Sequence, residues 1–583
     1  MKIRKGHDAL IRLSASLLLI MALVLCCGCG TAFAEGEENM CGPELTWTLA
    51  ETGVLTISGT GDMYDYAADN GITTAPWGAA PTELVLGSDV TGIGAFAFEG
   101  TAIGSVSLPE GLQTIGEAAF RGTALTALEL PDSVQSIGAY AFAGNDLSTP
   151  VVLPTLDTVL GEQAFDQTVL VTSDKAAHEW DYHIYESNIT VVAWHGSAEN
   201  LVVPDDINAL HVTRFGDQVF NRKTFLKSVV LPDDTEQMGR ELFSECTALT
   251  HASLGNNAGA LPTQCFFACR SLMGVDLPAA LTEIGVYAFG NCTTLTEVTV
   301  PEGVTVIGAS AFKGCANMTT LTLPITLESI GGSAFYNCNS LTAVNLPDSL
   351  TSLGSGAFTG CSALADVTIG SGLTSIAETS FQGLRNLKNL TINGDNTSIS
   401  RYAFQNCDAL QTVTIRTAVV GGLAFDNCTG LRSFSMQGGR MENVYSNYTY
   451  YGAFRNCPLL ETVTLGKGVT VIPDRAFQDL PALRTVSIMG VSSVPYYAFY
   501  GCGELINLTL GDTITEIGQC AFMNCASLTD FDLPGSLSNI AANAFNGCAG
   551  LTRIQIPDGM DTINTRAFAN CTGLTEISFD GAV

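Results

Sequence analysis

A phenylalanine recurs through most of this chain at a nearly constant spacing, and this repeat limits the fold more than any other feature. Twenty phenylalanines from Phe98 to Phe568 are separated by 22 or 23 residues in all but three of their 19 intervals. One unit offers roughly six large apolar side chains, too few to form a core of its own, so neighbouring units must stack and share one. The sequence therefore predicts a repeat solenoid with coils of about 23 residues.

Each unit also carries a strand pattern. In the unit of Phe289, Val298 and Val300 alternate with Glu297 and Thr299, which is the period of two expected of a half-buried strand. One strand per coil, about 4.8 Å from the next, predicts a parallel β-sheet on one face of the array. Glycine stands four residues before the phenylalanine in twelve of the twenty units, and we expect a tight turn there.

One full unit reads Leu295-x-x-Val298-x-Val300-Pro301-x-x-Val304-x-x-Ile307-Gly308-x-x-Ala311-Phe312-x-x-Cys315. This pattern resembles the BspA-type (Treponema-like) leucine-rich repeat. The stretch 45–61, followed by Pro76-Trp77, is similar to the segment that often precedes such repeats. The resemblance implies a leucine-rich-repeat array with a β-rich N-terminal cap, in a secreted or surface-attached bacterial binding protein. Studied members of the family are adhesins that engage host or matrix proteins.

The interval from Phe165 to Phe220 is 55 residues, which separates two blocks of repeats. We expect an end cap with a short helical turn at 176–182, then strands at 189–194 and 201–204 that start the second block. A hinge or a binding insertion is the alternative. The predicted organisation is a signal peptide at 1–34, a β-rich cap at 35–92, a first repeat block at 93–170, a non-repeat cap or connector at 171–215 and a second repeat block at 216–583.

The first 34 residues have the features of an export signal. A basic start is followed by an uncharged, mostly apolar stretch at 13–27, and Ala32-Phe33-Ala34 precedes Glu35, as signal peptidase requires. The cysteines within 26–29 lack a good lipidation approach, so lipoprotein anchoring is the less favoured alternative. We expect a secreted or cell-surface protein with no transmembrane span in the mature chain.

Charge narrows the range of partners. Beyond residue 34 the chain has 21 basic and 56 acidic residues. A chain of this charge repels phosphate backbones and anionic membranes, so we expect no nucleic-acid partner.

Thirteen cysteines stand three residues after a repeat phenylalanine. Equivalent positions line one internal ladder, where parallel Cβ vectors oppose disulfide formation and a straight line of ligands does not converge on a metal. We therefore expect free, buried, structural thiols, with no metal and no cofactor. Asn145 and Lys223 fit this position less well, and Cys41 can stay reactive.

No catalytic constellation is present in the sequence. There is no Gly-x-Ser-x-Gly elbow, no phosphate-binding loop and no local Cys-His signature. His178 and His183 are five residues apart, whereas a zinc-protease helix needs four. We predict that the protein is not an enzyme.

Two features offer candidate binding surfaces. The interval from Phe425 to Phe454 exceeds the 23-residue period by six and is rich in tyrosine, a frequent binding hot spot, although its rings can instead cover the edge of the core. Outward strand positions form rows of hydroxyl and amide side chains, although threonine also simply suits a strand. The candidate residues are Tyr445, Tyr448, Tyr450, Tyr451, Tyr496 and Tyr497 in the first set and Thr414, Thr464 and Thr509 in the second.

From these features we predict a leucine-rich repeat protein that mediates protein–protein interaction, and the resemblance implies adhesion to host or matrix proteins. The alternative is a carbohydrate-binding or cell-wall-binding spacer without an activity of its own, with a glycan as its ligand.

Overall fold

The computed structural model describes residues 39–446 and 449–579, so the predicted signal peptide lies outside the described residues. All regular elements in this part of the chain are β-strands, and it contains no helix able to cross a membrane. The chain divides into two compact units, one reaching residue 154 and including 158–166, the other formed by 155–157 and the residues from 167 onward. The predicted domain boundaries stay predictions.

The first unit starts with an antiparallel meander, β1–β2–β3. The long strand β3 then pairs in parallel with both β6 and β7, which begin two parallel rows of strands. The strands of this unit are β1 (Met40–Gly42), β2 (Glu44–Leu49), β3 (Val54–Asp62), β4 (Ala68–Asp69), β5 (Ile72–Thr73), β6 (Glu83–Leu86), β7 (Val90–Ile93), β8 (Val106–Ser107), β9 (Thr114–Ile115), β10 (Ser136–Ile137), β11 (Val151–Val152) and β12 (Val159–Leu160).

The second unit opens with antiparallel strands and continues as parallel coils. Its first seven strands are β13 (Val171–Thr172), β14 (Trp180–Tyr185), β15 (Asn188–Trp194), β16 (Asn200–Val202), β17 (Asp206–Ile207), β18 (Leu210–Phe215) and β19 (Ser228–Val230). The next strands are β20 (His251–Ser253), β21 (Ala260–Leu261), β22 (Gly274–Asp276), β23 (Glu283–Ile284), β24 (Glu297–Thr299), β25 (Val306–Ile307), β26 (Thr320–Thr322), β27 (Ser329–Ile330), β28 (Ala343–Leu346), β29 (Ser352–Leu353), β30 (Asp366–Ile369), β31 (Ser375–Ile376), β32 (Asn389–Ile392) and β33 (Asp395–Ile399). The last are β34 (Thr412–Val420), β35 (Ser433–Met441), β36 (Val444–Ser446), β37 (Thr449–Tyr451), β38 (Thr462–Val471), β39 (Thr485–Ile488), β40 (Ser493–Val494), β41 (Asn507–Leu510), β42 (Glu516–Ile517), β43 (Asn539–Ile540), β44 (Arg553–Ile556), β45 (Thr562–Ile563) and β46 (Glu576–Phe579).

The coils contain the predicted parallel strands. In β24, Val298 is buried while Glu297 and Thr299 are exposed, and each of the three lies opposite its equivalent in β26. The structure adds a second, shorter strand to most coils, exemplified by β25, which forms a second parallel row. In β34, β35 and β38 the two rows merge into single strands of nine or ten residues. The predicted solenoid with parallel sheets is confirmed.

The repeat phenylalanines form the centre of each core. In the second unit, sixteen rings from Phe220 to Phe568 stack on their neighbours with centroids 5.0 to 5.6 Å apart. At the N-terminal ends of the two ladders, tryptophans cover the first ring, with Trp77 5.6 Å from Phe98 and Trp194 5.8 Å from Phe220. Offset parallel rings are a favourable packing of aromatic side chains, which accounts for phenylalanine at this position in all twenty coils.

The tight turn expected at the repeat glycine is present, since the amide of Ala141 donates to the carbonyl of Gly138 at 3.3 Å, but this turn does not need the conformational freedom of glycine. Glycines four residues before the phenylalanine have no positive φ, and a Cβ added at Gly138 would lie 2.5 Å from the backbone nitrogen of Glu117 in the preceding coil. The positive φ angles occur two residues before and two residues after the phenylalanine, each in nineteen of twenty coils. Glycine or asparagine fills most of the second of these positions because both adopt this conformation at little cost. The repeat glycine instead allows close approach of the coils.

The expected helical turn at 176–182 is wrong. Trp180–Tyr185 is a strand, and it pairs antiparallel with Asn188–Trp194. Alternation of buried and partly exposed residues in Trp180–Tyr185 is the period-two signal that the helical interpretation overlooked. The strands predicted at 189–194 and 201–204 are present as β15 and β16.

The cysteine ladder is buried and reduced. All sixteen described cysteines are free, and all but Cys571 are fully buried. Each repeat cysteine donates a hydrogen bond from Sγ to the carbonyl of the phenylalanine in the preceding coil at 2.9 to 3.4 Å. These donors are Cys246, Cys269, Cys292, Cys315, Cys338, Cys361, Cys407, Cys428, Cys457, Cys502, Cys525, Cys548 and Cys571.

Asn145 fits the ladder better than expected. Its Nδ2 donates to the carbonyls of Phe120 and Phe142 at 2.8 and 3.0 Å, and its Oδ1 accepts from Thr123 and from the amide of Leu125. The expectation that Cys41 stays reactive is not supported, because the side chain is buried and desolvation raises the pKa of its thiol to about 11. A protonated, buried thiol is a poor nucleophile.

Candidate binding surface

The residues inserted between Phe425 and Phe454 form a β-hairpin. Strands β36 and β37 pair antiparallel, with Tyr445 opposite Tyr450. Cross-strand partners bring their side chains to one face, and the two rings lie 4.9 Å apart with their planes tilted by 52°. Tyr445 is 59% exposed and Tyr450 is 50% exposed. Tyr448 lies outside the described residues.

The hairpin continues directly into the turn that carries Phe454. Tyr451, the last residue of β37, is half-buried, and the guanidinium carbon of Arg455 lies 5.0 Å from the centre of its ring. Arg455 in turn donates from Nε and Nη2 to the two carboxylate oxygens of Asp426 at 2.7 and 2.6 Å. The Asp426 side chain is only 2% exposed, so this bidentate pair fixes the guanidinium in place.

A second tyrosine group lies two coils later, as the sequence indicated. Tyr496, Tyr497 and Tyr500 are all half-buried, with centroids 4.2 Å apart in the first pair and 4.9 Å in the second. The guanidinium carbon of Arg475 lies 5.5 and 4.9 Å from the first two rings. Hydrogen bonding to Cys520 and to Tyr496 raises the pKa of Tyr497 to about 12, so the Tyr497 hydroxyl is neutral at physiological pH.

The hydrogen bonds between turns are interrupted after the hairpin. In most coils the amides of the repeat phenylalanine and of the residues two before and two after it donate to the next coil, as Phe477 N does to Ala498 O at 2.8 Å. Within the described residues, the amides of Gly452, Phe454 and Asn456 make no such bond. Gly452 is also the one residue at its repeat position without a positive φ. The inserted hairpin thus changes the backbone of the turn that follows it.

A groove of about 530 Å³ opens at this interruption, between the hairpin and the turn of Phe477. We call it the Arg–Tyr groove. The residues that define it are Tyr450, Tyr451, Phe454, Arg455, Arg475 and Asp479. Sequence reasoning identified the tyrosines of the hairpin but missed both arginines.

The threonine candidates lie on the first strand row, apart from the tyrosines. Thr414 and Thr464 flank Ser435, and the same row reaches Thr509 through Ser487. This register confirms that the outward hydroxyl positions form a continuous row. The hairpin follows the second strand segment of its coil, and among the described residues no hydrogen bond or ring contact joins the two candidate sets. They are separate surfaces.

No group of three or more His, Cys, Asp or Glu side chains that could hold a metal ion occurs among residues 39–446 and 449–579. The repeated strands, the phenylalanine ladder and the cysteine ladder define the class of the molecule, which is a β-solenoid of leucine-rich repeats.

Comparison with known proteins refines this class to a family. The family model described as BspA type leucine-rich repeat region matches six copies over residues 79–179, 197–319, 305–432 and 492–583. These stretches cover more than half of the chain, so the protein belongs to the BspA-type leucine-rich repeat family. Members of this family are scaffolds for protein interaction and are generally without catalytic activity.

Solved structures with similarity to the chain are also leucine-rich repeat proteins. A protein from Bacteroides ovatus is 24% identical, with 68% of this chain and 92% of that chain covered and a TM-score of 0.41. A leucine-rich cell surface protein from Faecalibacterium prausnitzii is 24% identical, with 72% and 96% covered and a TM-score of 0.35. The leucine-rich repeat protein of T. pallidum is 25% identical, with 40% and 90% covered and a TM-score of 0.25. Comparison with curated protein sequences finds no match.

Proposed function

We propose that this protein is exported and acts at the cell surface or in the medium as an adhesin, binding a host or matrix protein through the face around the β36–β37 hairpin. The observation that carries the proposal is the exposed Tyr445–Tyr450 pair, on the largest departure from the repeat period in the second block. Paired, exposed tyrosines combine large contact area with little conformational entropy to lose on binding. Export is supported by the sequence of residues 1–34 and by the family.

The alternative is a spacer that binds carbohydrate or cell wall. The row of hydroxyls through Thr414, Thr464 and Thr509 favours it, because a regular hydrogen-bonding face suits a repeating glycan. The two functions predict different sensitive residues, so they can be separated by substitution.

The test is binding of the purified chain from residue 35 onward to arrays of extracellular-matrix proteins and of glycans. Replacing both Tyr445 and Tyr450 by Ser should weaken binding to the matrix protein by about 2 kcal/mol or more, which is about 30-fold. Thermal stability should stay nearly unchanged, because both rings are at least half exposed. Tyr64→Ser is the matched control, since Tyr64 is 46% exposed and lies in the first unit.

Three results count against this proposal. Unchanged affinity of the double variant would exclude the hairpin as the binding site. Binding to glycans alone, lost when Thr414 and Thr464 are replaced by Lys, would establish the spacer. A double variant that melts early would show that the tyrosines cover the core rather than bind a partner.

A further inference from the structure

The basic residues of this acidic chain are concentrated around the hairpin. Of the 21 lysines and arginines beyond residue 34, ten fall within residues 385–484, together with only seven acidic residues. The remainder of the mature sequence has 11 basic and 49 acidic residues. The ten are Arg385, Lys388, Arg401, Arg416, Arg432, Arg440, Arg455, Lys467, Arg475 and Arg484.

Two of these arginines, Arg455 and Arg475, line the Arg–Tyr groove together with one acidic residue, Asp479. Arg455 is paired with Asp426 through one edge of its guanidinium, which leaves its other N–H groups unused by that pair. Arg475 donates from Nη1 to the side-chain oxygen of Gln478 at 3.0 Å and has no ion-pair partner among the described residues. Both guanidinium groups lie over tyrosine rings, a contact that holds them in position while their edges can still donate hydrogen bonds.

The backbone adds further donors to the same groove. Gly452, Phe454 and Asn456 line the groove, and none of their three amides donates to the next coil within the described part of the chain. In regular coils the amides at these positions donate to backbone carbonyls of a parallel neighbouring segment. Their spacing of two residues matches the spacing of carbonyls along one side of an extended peptide. Donors of this kind, beside two cations, select an anionic peptide.

We propose that the Arg–Tyr groove binds an extended, acidic peptide segment of the partner protein. This proposal rests on the proposed function and names the chemistry of its ligand. Arg475 and Arg455 bind carboxylates, the free amides bind oxygen atoms of the peptide, and the Tyr445–Tyr450 pair packs against apolar side chains. The rings of this pair are tilted by 52°, so they form a notch for a side chain rather than a flat platform for a sugar ring.

The probes are two pooled, fluorescein-labelled peptide libraries. Alternate positions are Glu in the first library and Gln in the second, and the remaining positions are drawn from Leu, Pro, Tyr and Gly in both. Fluorescence anisotropy with the purified chain should show about tenfold tighter binding of the Glu library, as expected for a hydrogen bond between charged groups. Equal affinity for the two libraries, or no binding of either, overturns the proposal.

The key variant is Arg475→Gln, which should weaken binding of the Glu library about tenfold and leave the Gln library unaffected. Arg566→Gln is its matched control, because Arg566 occupies the same repeat position with φ of 60° against 61° for Arg475. The control should bind like the parent chain. The difference between parent and Arg475→Gln should shrink between about 0.05 M and about 0.5 M salt, since ions screen the interaction. A silent Arg475→Gln variant refutes the assignment.

Arg455 needs a paired substitution, because its loss alone would leave the buried carboxylate of Asp426 without a counter-ion. Replacing Arg455 by Gln together with Asp426 by Asn should also weaken Glu-library binding. Hyaluronan that displaces the Glu library at lower concentration than unlabelled peptide would instead assign the groove to acidic glycans.

The Tyr445/Tyr450→Ser variant distinguishes failure of this inference from failure of the proposed function. If it loses matrix-protein binding while the two libraries bind equally, the adhesin stands and the acidic ligand is wrong. If it binds the Glu library normally while Arg475→Gln does not, the groove binds acidic peptides and the hairpin tyrosines are not the contact.

Discussion

The phenylalanine ladder allows a quantitative prediction at Phe312. Its ring is fully buried and stacks between Phe289 at 5.0 Å and Phe335 at 5.3 Å. Replacement by Ala removes the buried ring and both aromatic contacts, so we expect a loss of about 3 to 5 kcal/mol. Replacement by Leu keeps most of the apolar volume and loses chiefly two ring contacts at about 0.5–1.5 kcal/mol each, so it should cost about 1 to 3 kcal/mol.

The suitable assay is native-state hydrogen exchange read by mass spectrometry. All four tryptophans, Trp47, Trp77, Trp180 and Trp194, precede the second phenylalanine ladder, so tryptophan fluorescence would not report on the coil of Phe312. A loss of about 3 to 5 kcal/mol corresponds to exchange that is faster by about two to three and a half orders of magnitude. The effect should be largest in the coils of Phe289, Phe312 and Phe335 and should fade with distance, because each coil contacts only its neighbours.

Two results would refute this reasoning. A Phe312→Ala variant with exchange close to that of the parent chain would show that the ring is not part of the core. Uniform acceleration along the whole second unit, including the distant coil of Phe545, would show that stability is not the sum of local contacts between neighbouring coils.

The remaining predictions concern glycine and cysteine. Gly138→Ala should destabilise the first unit by about 1 to 3 kcal/mol, because the new Cβ would meet backbone at 2.5 Å. Gly122→Asn should be tolerated, since the φ of 63° suits Asn and a Cβ added there meets no atom within 4 Å. Hydrogen exchange in residues 94–166 compares the two variants. Equal destabilisation by both would contradict the different roles assigned to the two glycines. For the thiols, burial raises the pKa of Cys315 from 9.0 to about 12, so its contribution to stability is complete below pH 9 and is lost as the pH rises from 9 towards 12. Circular dichroism should show alkaline unfolding in that window, and iodoacetamide at pH 8 should label the repeat cysteines only after urea is added; rapid labelling of the native chain, or disulfides between consecutive coils, would contradict it.

The central features of the fold were predictable because they are repeated. The chain has twenty equivalent phenylalanines and a period-two strand pattern. Because no single unit can bury its own apolar side chains, the units must stack as a solenoid. The common repeat position of the cysteines also predicted free thiols, because equivalent side chains in parallel coils point in the same direction and are poorly placed for disulfide formation. Asn145 was misjudged because its polar amide looked unsuited to a buried site, whereas four hydrogen bonds compensate for its burial.

The longer interval and its tyrosines also predicted an insertion between Phe425 and Phe454, but neither its hairpin structure nor the Arg–Tyr groove was predicted. Arg475 is close to Arg455 only because their two coils stack, and the open amides around Phe454 follow from the backbone that Gly452 adopts. The repeat period predicts which coils are adjacent. It does not predict the hydrogen bonds of the one turn that departs from the repeat. Thus the sequence by itself determined the solenoid, its core and its thiol ladder, because each depends on side chains repeated at fixed spacing. The tertiary structure alone decided which glycine permits close approach and which turn opens the Arg–Tyr groove, because both depend on backbone atoms of different coils meeting in space.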